Sequence, residues 1–204
     1  MPKVVDWDAR RDEILSATWR VIARDGIAGA TIRAIAREAN CSRGILGHYF
    51  DDKADILGSA LVHSHRRVGA RMDTATAGLT GLAALRVIML EALPLDDRRD
   101  LEAQIEISFW GRALGNAELR ELQHSEFDGL RRRLRRHLRE AAALGELHSD
   151  CDLDLATHQL VVLIDGVSAE RVLFPDRVSA DRQVQLLDVL VQSFSRDAAA
   201  SASQ

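Results

Sequence analysis

Between Thr31 and Lys53 the chain runs Thr-Ile-Arg-Ala-Ile-Ala-Arg-Glu-Ala-Asn-Cys-Ser-Arg-Gly-Ile-Leu-Gly-His-Tyr-Phe-Asp-Asp-Lys, a segment whose residue types suit the grooves of a nucleic acid duplex. The Arg43 guanidinium can fork onto guanine O6 and N7, and Ile45 can pack on a thymine methyl. Ser42 gives that helix a small polar start, and Gly44 lets the backbone approach closely. Thr31, Arg33, His48, Tyr49 and Lys53 are spaced to meet phosphates, contacts that orient a reader without specifying bases. The plainer alternative is a helical hairpin whose charged faces are merely solvated.

A second constellation lies further along. Glu102, Glu106, Phe109 and Trp110 fall within two helical turns, so carboxylates and aromatic faces can line one cavity, the chemistry that holds an amine or a quaternary ammonium. Against it stands an apolar site of Trp110, Met89 and Phe127 alone, or plain packing with solvated glutamates. His137 interrupts an apolar stripe and is expected as a satisfied buried histidine. Arg131, Arg132, Arg133, Arg135, Arg136 and Arg139 resemble a nucleic-acid patch, but with Glu126 and Glu140 beside them they are expected as the charged outer face of a packed helix. His63 and His65, two apart on a helix, point away from each other and make a poor metal pair. Cys41 is expected to fill a small buried slot as an unreactive thiol.

These residues need helices to carry them. Apolar positions recur at three and four, prolines number three, and no alternating strand pattern appears, so the fold class is all-α with about nine helices. The first is expected over 8–25, burying Ile14, Thr18, Val21 and Ile22 and stopping at Gly26. Thr31 caps a short second helix, Asn40 makes the turn, and Ser42 caps a third ending near Tyr49, giving a helix-turn-helix. Asp51 or Asp52 caps a fourth to about Asp73. Further helices are expected over 78–93, 96–114 and 116–144, the last with the stripe Phe127, Leu130, Leu134, His137, Ala141, Leu144. Asp152 or Asp154 caps one to Phe174, and Ser179 caps the last, to about Arg196. Domains are placed at 1–50 for the helix-turn-helix, 51–197 for a ligand and dimer domain, and 198–204 for a disordered tail.

The net charge of −4 excludes a chain that coats a polyanion over its whole surface. The charge is uneven, however: residues 1–72 sum to +3 and the remainder to −7, so only the first part can approach DNA. Two distant cysteines, Cys41 and Cys151, make no disulfide framework and fit a reducing cytoplasm. No apolar run approaches a membrane span, and no signal-type core opens the chain. Without a glycine-rich phosphate loop, a nucleophile elbow or a histidine pair at metal spacing, no enzyme and no cofactor is expected. A helical adaptor binding only protein is the remaining alternative, and it would have no need of Arg43, His48, Tyr49 and Lys53 together.

The 31–53 segment resembles the signature of the TetR/AcrR family of bacterial repressors, keeping Thr31, Ile35, Ala36, Ala39, Ser42, Gly44, Phe50 and Lys53. It departs with Asn40 for glycine, Cys41 for valine and Gly47 for a tyrosine that in the family commonly touches a phosphate, so His48 and Tyr49 must carry more here. Arg43 to Phe50, together with Ile107-Ser-Phe-Trp-Gly and Leu163-Ile-Asp-Gly-Val, is similar to the subgroup around the choline-responsive repressor BetI. The resemblance covers about residues 8–194. It implies a homodimer built from the last two helices, a palindromic double-stranded operator, and release by a small-molecule effector. An independent reason for pairing is that the last two helices are apolar on more than one face, with Leu160, Ile164, Leu187, Val191 and Phe194 as candidate dimer residues.

Overall fold

A computed structural model of the chain describes residues 6–196, so the expected tail lies outside the described residues. Nine helices occur among the described residues: α1 Trp7–Gly29, α2 Ile32–Glu38, α3 Arg43–Tyr49, α4 Lys53–Ala75, α5 Gly81–Ala92, α6 Asp97–Ala113, α7 Ala117–Ala143, α8 Leu153–Leu173 and α9 Ala180–Phe194. A single isolated bridge, Leu147 to Ser195, is the only β pairing among them.

Short polar side chains start these helices by accepting otherwise unpaired backbone N–H groups. Thr31 Oγ1 accepts from Ala34 N at 3.1 Å, Ser42 Oγ from Ile45 N at 3.2 Å, and Asp152 and Ser179 do the same for α8 and α9. At α4 the cap is reciprocal: Asp52 accepts from Asp55 N at 2.8 Å while Asp55 accepts from Asp51 N at 3.0 Å. Gly26 adopts φ 70°, and α1 kinks there instead of ending, continuing one turn to Gly29. Asn40 takes the left-handed φ of 48° that the tight α2–α3 turn requires.

Helix α5 starts three residues later than its apolar composition suggests. Gly78 belongs to a turn closed by Leu79 N donating to Thr76 O, and Thr80 makes no side-chain cap. Carboxylates from a distant stretch replace it, Glu146 accepting from Leu82 N at 2.8 Å.

The chain divides into two compact units, one formed by the described residues of 1–66 with 104–123, the other by those of 67–103 with 124–204. In the first, α1 packs on α2 and α2 on α3, and the core includes Ile14, Leu15, Val21, Ile35, Leu46, Phe50, Leu57 and Leu61. Trp19 is buried there, its indole N–H donating to Ala60 O at 3.0 Å. In the second, α5, α8 and α9 meet around Leu85, Met89, Leu134, Leu138, Leu160, Leu187 and Phe194. No helix among the described residues is long and apolar enough to cross a membrane.

Candidate nucleic-acid interface and ligand site

Helix α3 is anchored by one apolar residue and presents the rest. Leu46 is buried, while Arg43, Gly44, Ile45, Gly47 and His48 are exposed; Ile45, a large apolar side chain, leaves 39% of its surface in water. Thr31 and Arg33 are exposed at the start of α2, and Tyr49 and Lys53 are half-buried. Neither Arg33 nor Arg43 pairs with a carboxylate among the described residues. Two arginines of α1 in the same unit do: Arg20 and Arg24 both bind Glu38, at 2.7 and 3.0 Å. The Arg33 and Arg43 guanidiniums are thus not spent on the fold's own carboxylates.

Lys53 opens α4, the end of a helix where a cation is disfavoured by the macrodipole. Burial pushes its ammonium below the usual lysine range, and the nearby Arg112 adds to this. No carboxylate bonds it among the described residues. A cation kept in such a place at a cost to the fold is one that an external anion would satisfy. Cys41, half-buried in the α2–α3 turn, has its thiol pushed up by burial, which leaves little thiolate.

The two glutamates of α6 turn out to be unlike. Glu102 receives Arg71 in a bidentate fork, Nη1 and Nη2 both at 2.8 Å, and the same guanidinium donates to Glu91 at 2.6 Å. Glu106 instead meets His65 Nε2 at 2.9 Å and accepts the Trp110 indole N–H at 2.9 Å. No arginine or lysine pairs with Glu106 among the described residues. Phe109 and Met89 are fully buried, Met89 within the second unit's core, and Phe127 is half-buried. The structure therefore joins Glu106 and Trp110 within one unit and sets Glu102 apart as the partner of an arginine. His65 and Arg71, which decide this difference, carry no sequence signal, since their partners lie 41 and 31 residues away.

His137 is buried and satisfied, Nδ1 lying 2.7 Å from Glu140 and Nε2 2.8 Å from Arg136. Burial raises the Glu140 carboxyl, but the bond from His137, with the Gly81 N–H and the nearby Arg136, outweighs this and holds it low. Of the α7 arginines, Arg133 binds Asp73, Arg135 binds Asp154 and Arg136 binds Glu140. They serve the fold's own carboxylates. No cluster of three His, Cys, Asp or Glu side chains suited to a metal occurs among the described residues.

On the last two helices, Leu160, Ile164, Leu187 and Phe194 are buried in their own unit and Val191 is half-buried, so their inward face is spent. The outward apolar residues are others: Leu155 (55% exposed) and Val162 (53%) lie seven apart on α8, and Leu186 and Val189 (70%) three apart on α9. Each pair shares a helix face. Which face was outward could not be told from periodicity, because both carry apolar residues.

Residues 14–60 match the family model described as bacterial regulatory proteins, tetR family, and residues 81–196 the one described as BetI-type transcriptional repressor, C-terminal. The HTH-type transcriptional regulator PksA of Bacillus subtilis (strain 168) is 31% identical over 194 residues, 95% of this chain and 93% of that protein. The regulator BetI of Vibrio parahaemolyticus serotype O3:K6 is 30% identical over 188 residues, 89% of this chain and 90% of that protein. Among solved structures, a transcriptional regulator from Saccharomonospora viridis in complex with choline aligns with TM-score 0.82 and 25% identity, over 91% of this chain and 96% of that one. A TetR transcription regulator from Haloarcula marismortui aligns with TM-score 0.84 at 20% identity, over 93% and 100%, a likeness of fold.

Proposed function

We propose that this chain, which belongs to the TetR family and is a DNA-binding transcriptional regulator with a BetI-type C-terminal region, represses as a homodimer that a small cation releases from a palindromic operator. The observation that carries the cation is Glu106. Its carboxylate is part-buried, bonded by ring nitrogens alone, and adjacent to the Trp110 indole. A part-buried carboxylate with no arginine or lysine partner, close to an aromatic ring, favours a quaternary or protonated amine, which needs no strong hydrogen bond of its own. The choline bound by the Saccharomonospora viridis relative belongs to that class.

The duplex is taken by α3 in the major groove, Arg43 and Ile45 on base edges and Thr31, Arg33, His48, Tyr49 and Lys53 on phosphates. Two copies pair through the exposed faces of α8 and α9, Leu155 and Val162 against Leu186 and Val189, which sets two recognition helices at successive major grooves. The effector then favours the dimer state whose helices no longer fit that spacing, a population shift.

Calorimetry with choline, a polyamine and choline's uncharged carbon isostere, on the wild type, Trp110→Ala and Glu106→Gln, tests the cation. Choline or the polyamine should bind, the isostere should not, and Trp110→Ala should lose the roughly 0.5–2 kcal/mol of a cation–π contact. Cation affinity unchanged by Glu106→Gln removes Glu106 from the site. Sedimentation tests the dimer: Val189→Glu, a charge in an apolar interface, should yield monomers that bind duplex weakly. A wild type that is monomeric at micromolar concentration refutes the pairing.

A further inference from the structure

We propose that Trp7 is a second aromatic contact to the DNA backbone, forming with Tyr49 a stacked pair whose two ring donors hold phosphate oxygens. It rests on the assignment of α2 and α3 as the duplex-facing helices. Trp7 begins α1, and its ring stacks on Tyr49 with centroids 4.2 Å apart and planes inclined by 30°. The stack does not hide it: 54% of Trp7 remains exposed, whereas Trp19 is 6% exposed. Trp19 has spent its N–H on a carbonyl. Neither the Trp7 indole N–H nor the Tyr49 hydroxyl bonds to another described residue, so two neighbouring donors are unspent within the fold.

Their position is fixed from both sides. Asp6 caps the first turn of α1, accepting from Ala9 N at 3.2 Å, and Arg10, one turn beyond Trp7, donates to Ala39 O at 3.3 Å in the α2–α3 turn. Tyr49 closes the helix that presents Arg43, Ile45 and His48. An exposed tryptophan leaves an apolar ring in water, and that ring is useful where its N–H edge meets polar atoms and its face stays covered. Phosphate oxygens along a strand, which accept bonds from neutral donors as well as cations, are the polar atoms on offer at this edge.

Phenylalanine variants separate donor from stack, because Trp7→Phe and Tyr49→Phe keep a ring in place and delete only the N–H or O–H. Binding to a random-sequence duplex of about thirty base pairs at low salt should weaken roughly tenfold in each, as expected for a bond to a charged acceptor. The salt slope should not change, since no charge is removed. Thermal midpoints should match the wild type. Trp7→Phe binding as well as wild type, with Trp7→Ala losing both binding and thermal stability, would make the stack a structural staple and overturn the proposal. Should Trp7→Phe melt early, the wild type decides: duplex must shield an exposed indole from acrylamide quenching, and equal quenching with and without DNA overturns it. A wild type that binds no duplex at all would fail the α2–α3 assignment itself, a different result.

Discussion

Replacing Arg71 by methionine deletes four hydrogen bonds: Nε to Glu91, Nη1 and Nη2 to Glu102, and Nη2 to the Glu91 carbonyl. Burial alone would weaken the Arg71 cation, but the bonds from Glu102 and Glu91 outweigh it and hold the guanidinium protonated more firmly than usual. The side chains keep only 18%, 22% and 11% of their surface, for Arg71, Glu91 and Glu102, so water replaces little of what is lost. Removing one partner from a fully buried ion pair costs about 3–5 kcal/mol, and a part-exposed one less, because screening already discounts the attraction. We expect a loss of about 2–3 kcal/mol, which for a chain of this length lowers Tm by about 5–10 °C. Thermal unfolding followed by circular dichroism at fixed protein concentration measures it. Much of the penalty is repulsion between two stranded carboxylates, so Glu102→Gln in the Arg71→Met background should recover part of the loss. A Tm for Arg71→Met within about 1 °C of wild type would show the trio to be no more than a surface network.

Four further outcomes follow from the same structure. Arg43→Ala should cost roughly 1–3 kcal/mol at one operator position and relax its specificity, while Lys53→Ala weakens all duplexes and lowers the salt slope by about one; equal losses on specific and random DNA for both variants would reverse the assignment. Because burial depresses the Lys53 ammonium, Lys53→Ala should leave Tm unchanged or slightly higher, and a clear fall would give Lys53 a structural role. Gly81→Ala should destabilise by about 1–2 kcal/mol, since its φ of 60° is left-handed and its added carbon would collide with Glu146, the carboxylate that caps α5; a neutral result in urea unfolding would mean that Glu146 simply swings aside. Asp73, Asp96 and Asp188 are held below the usual carboxylate range by bonds from Arg133, Arg99 and Arg86. Their folded values are depressed, so the stability they contribute is present above about pH 4 and lost as pH falls through the folded values; a urea midpoint that rises on acidification from pH 5 to 3 contradicts this.

Local rules made much of the architecture legible before any coordinates. Thr31, Ser42, Asp152 and Ser179 each cap the helix their chemistry favours, and Asn40 takes the left-handed turn, because a cap or turn is decided by side chain and backbone within three or four residues. Where the deciding group is remote, neighbouring residues do not reveal it. Gly78 looked like the start of α5, yet the carboxylate that terminates that helix belongs to Glu146.

The same distinction separates the residues proposed to meet the duplex from those proposed to hold the ligand. Arg43, Ile45 and His48 sit on a seven-residue helix with one buried residue, so their outward placement follows from Leu46 pointing in. Glu102 and Glu106, one turn apart on α6, are identical in residue type and helical position. Arg71 and His65 make them different, and both reach α6 from α4. A helix period can say that two carboxylates share a face, but which of them is already neutralised depends on what the neighbouring helix brings. The ambiguity of α8 and α9 has the same origin: Leu187 and Val189 are equally apolar, and only packing against the unit's own core buries the first and leaves the second exposed. Lys53 shows the converse. A cation at a helix start, pressed by burial and a like charge, is unfavourable for the fold, and the proposed phosphate contact would offset that cost.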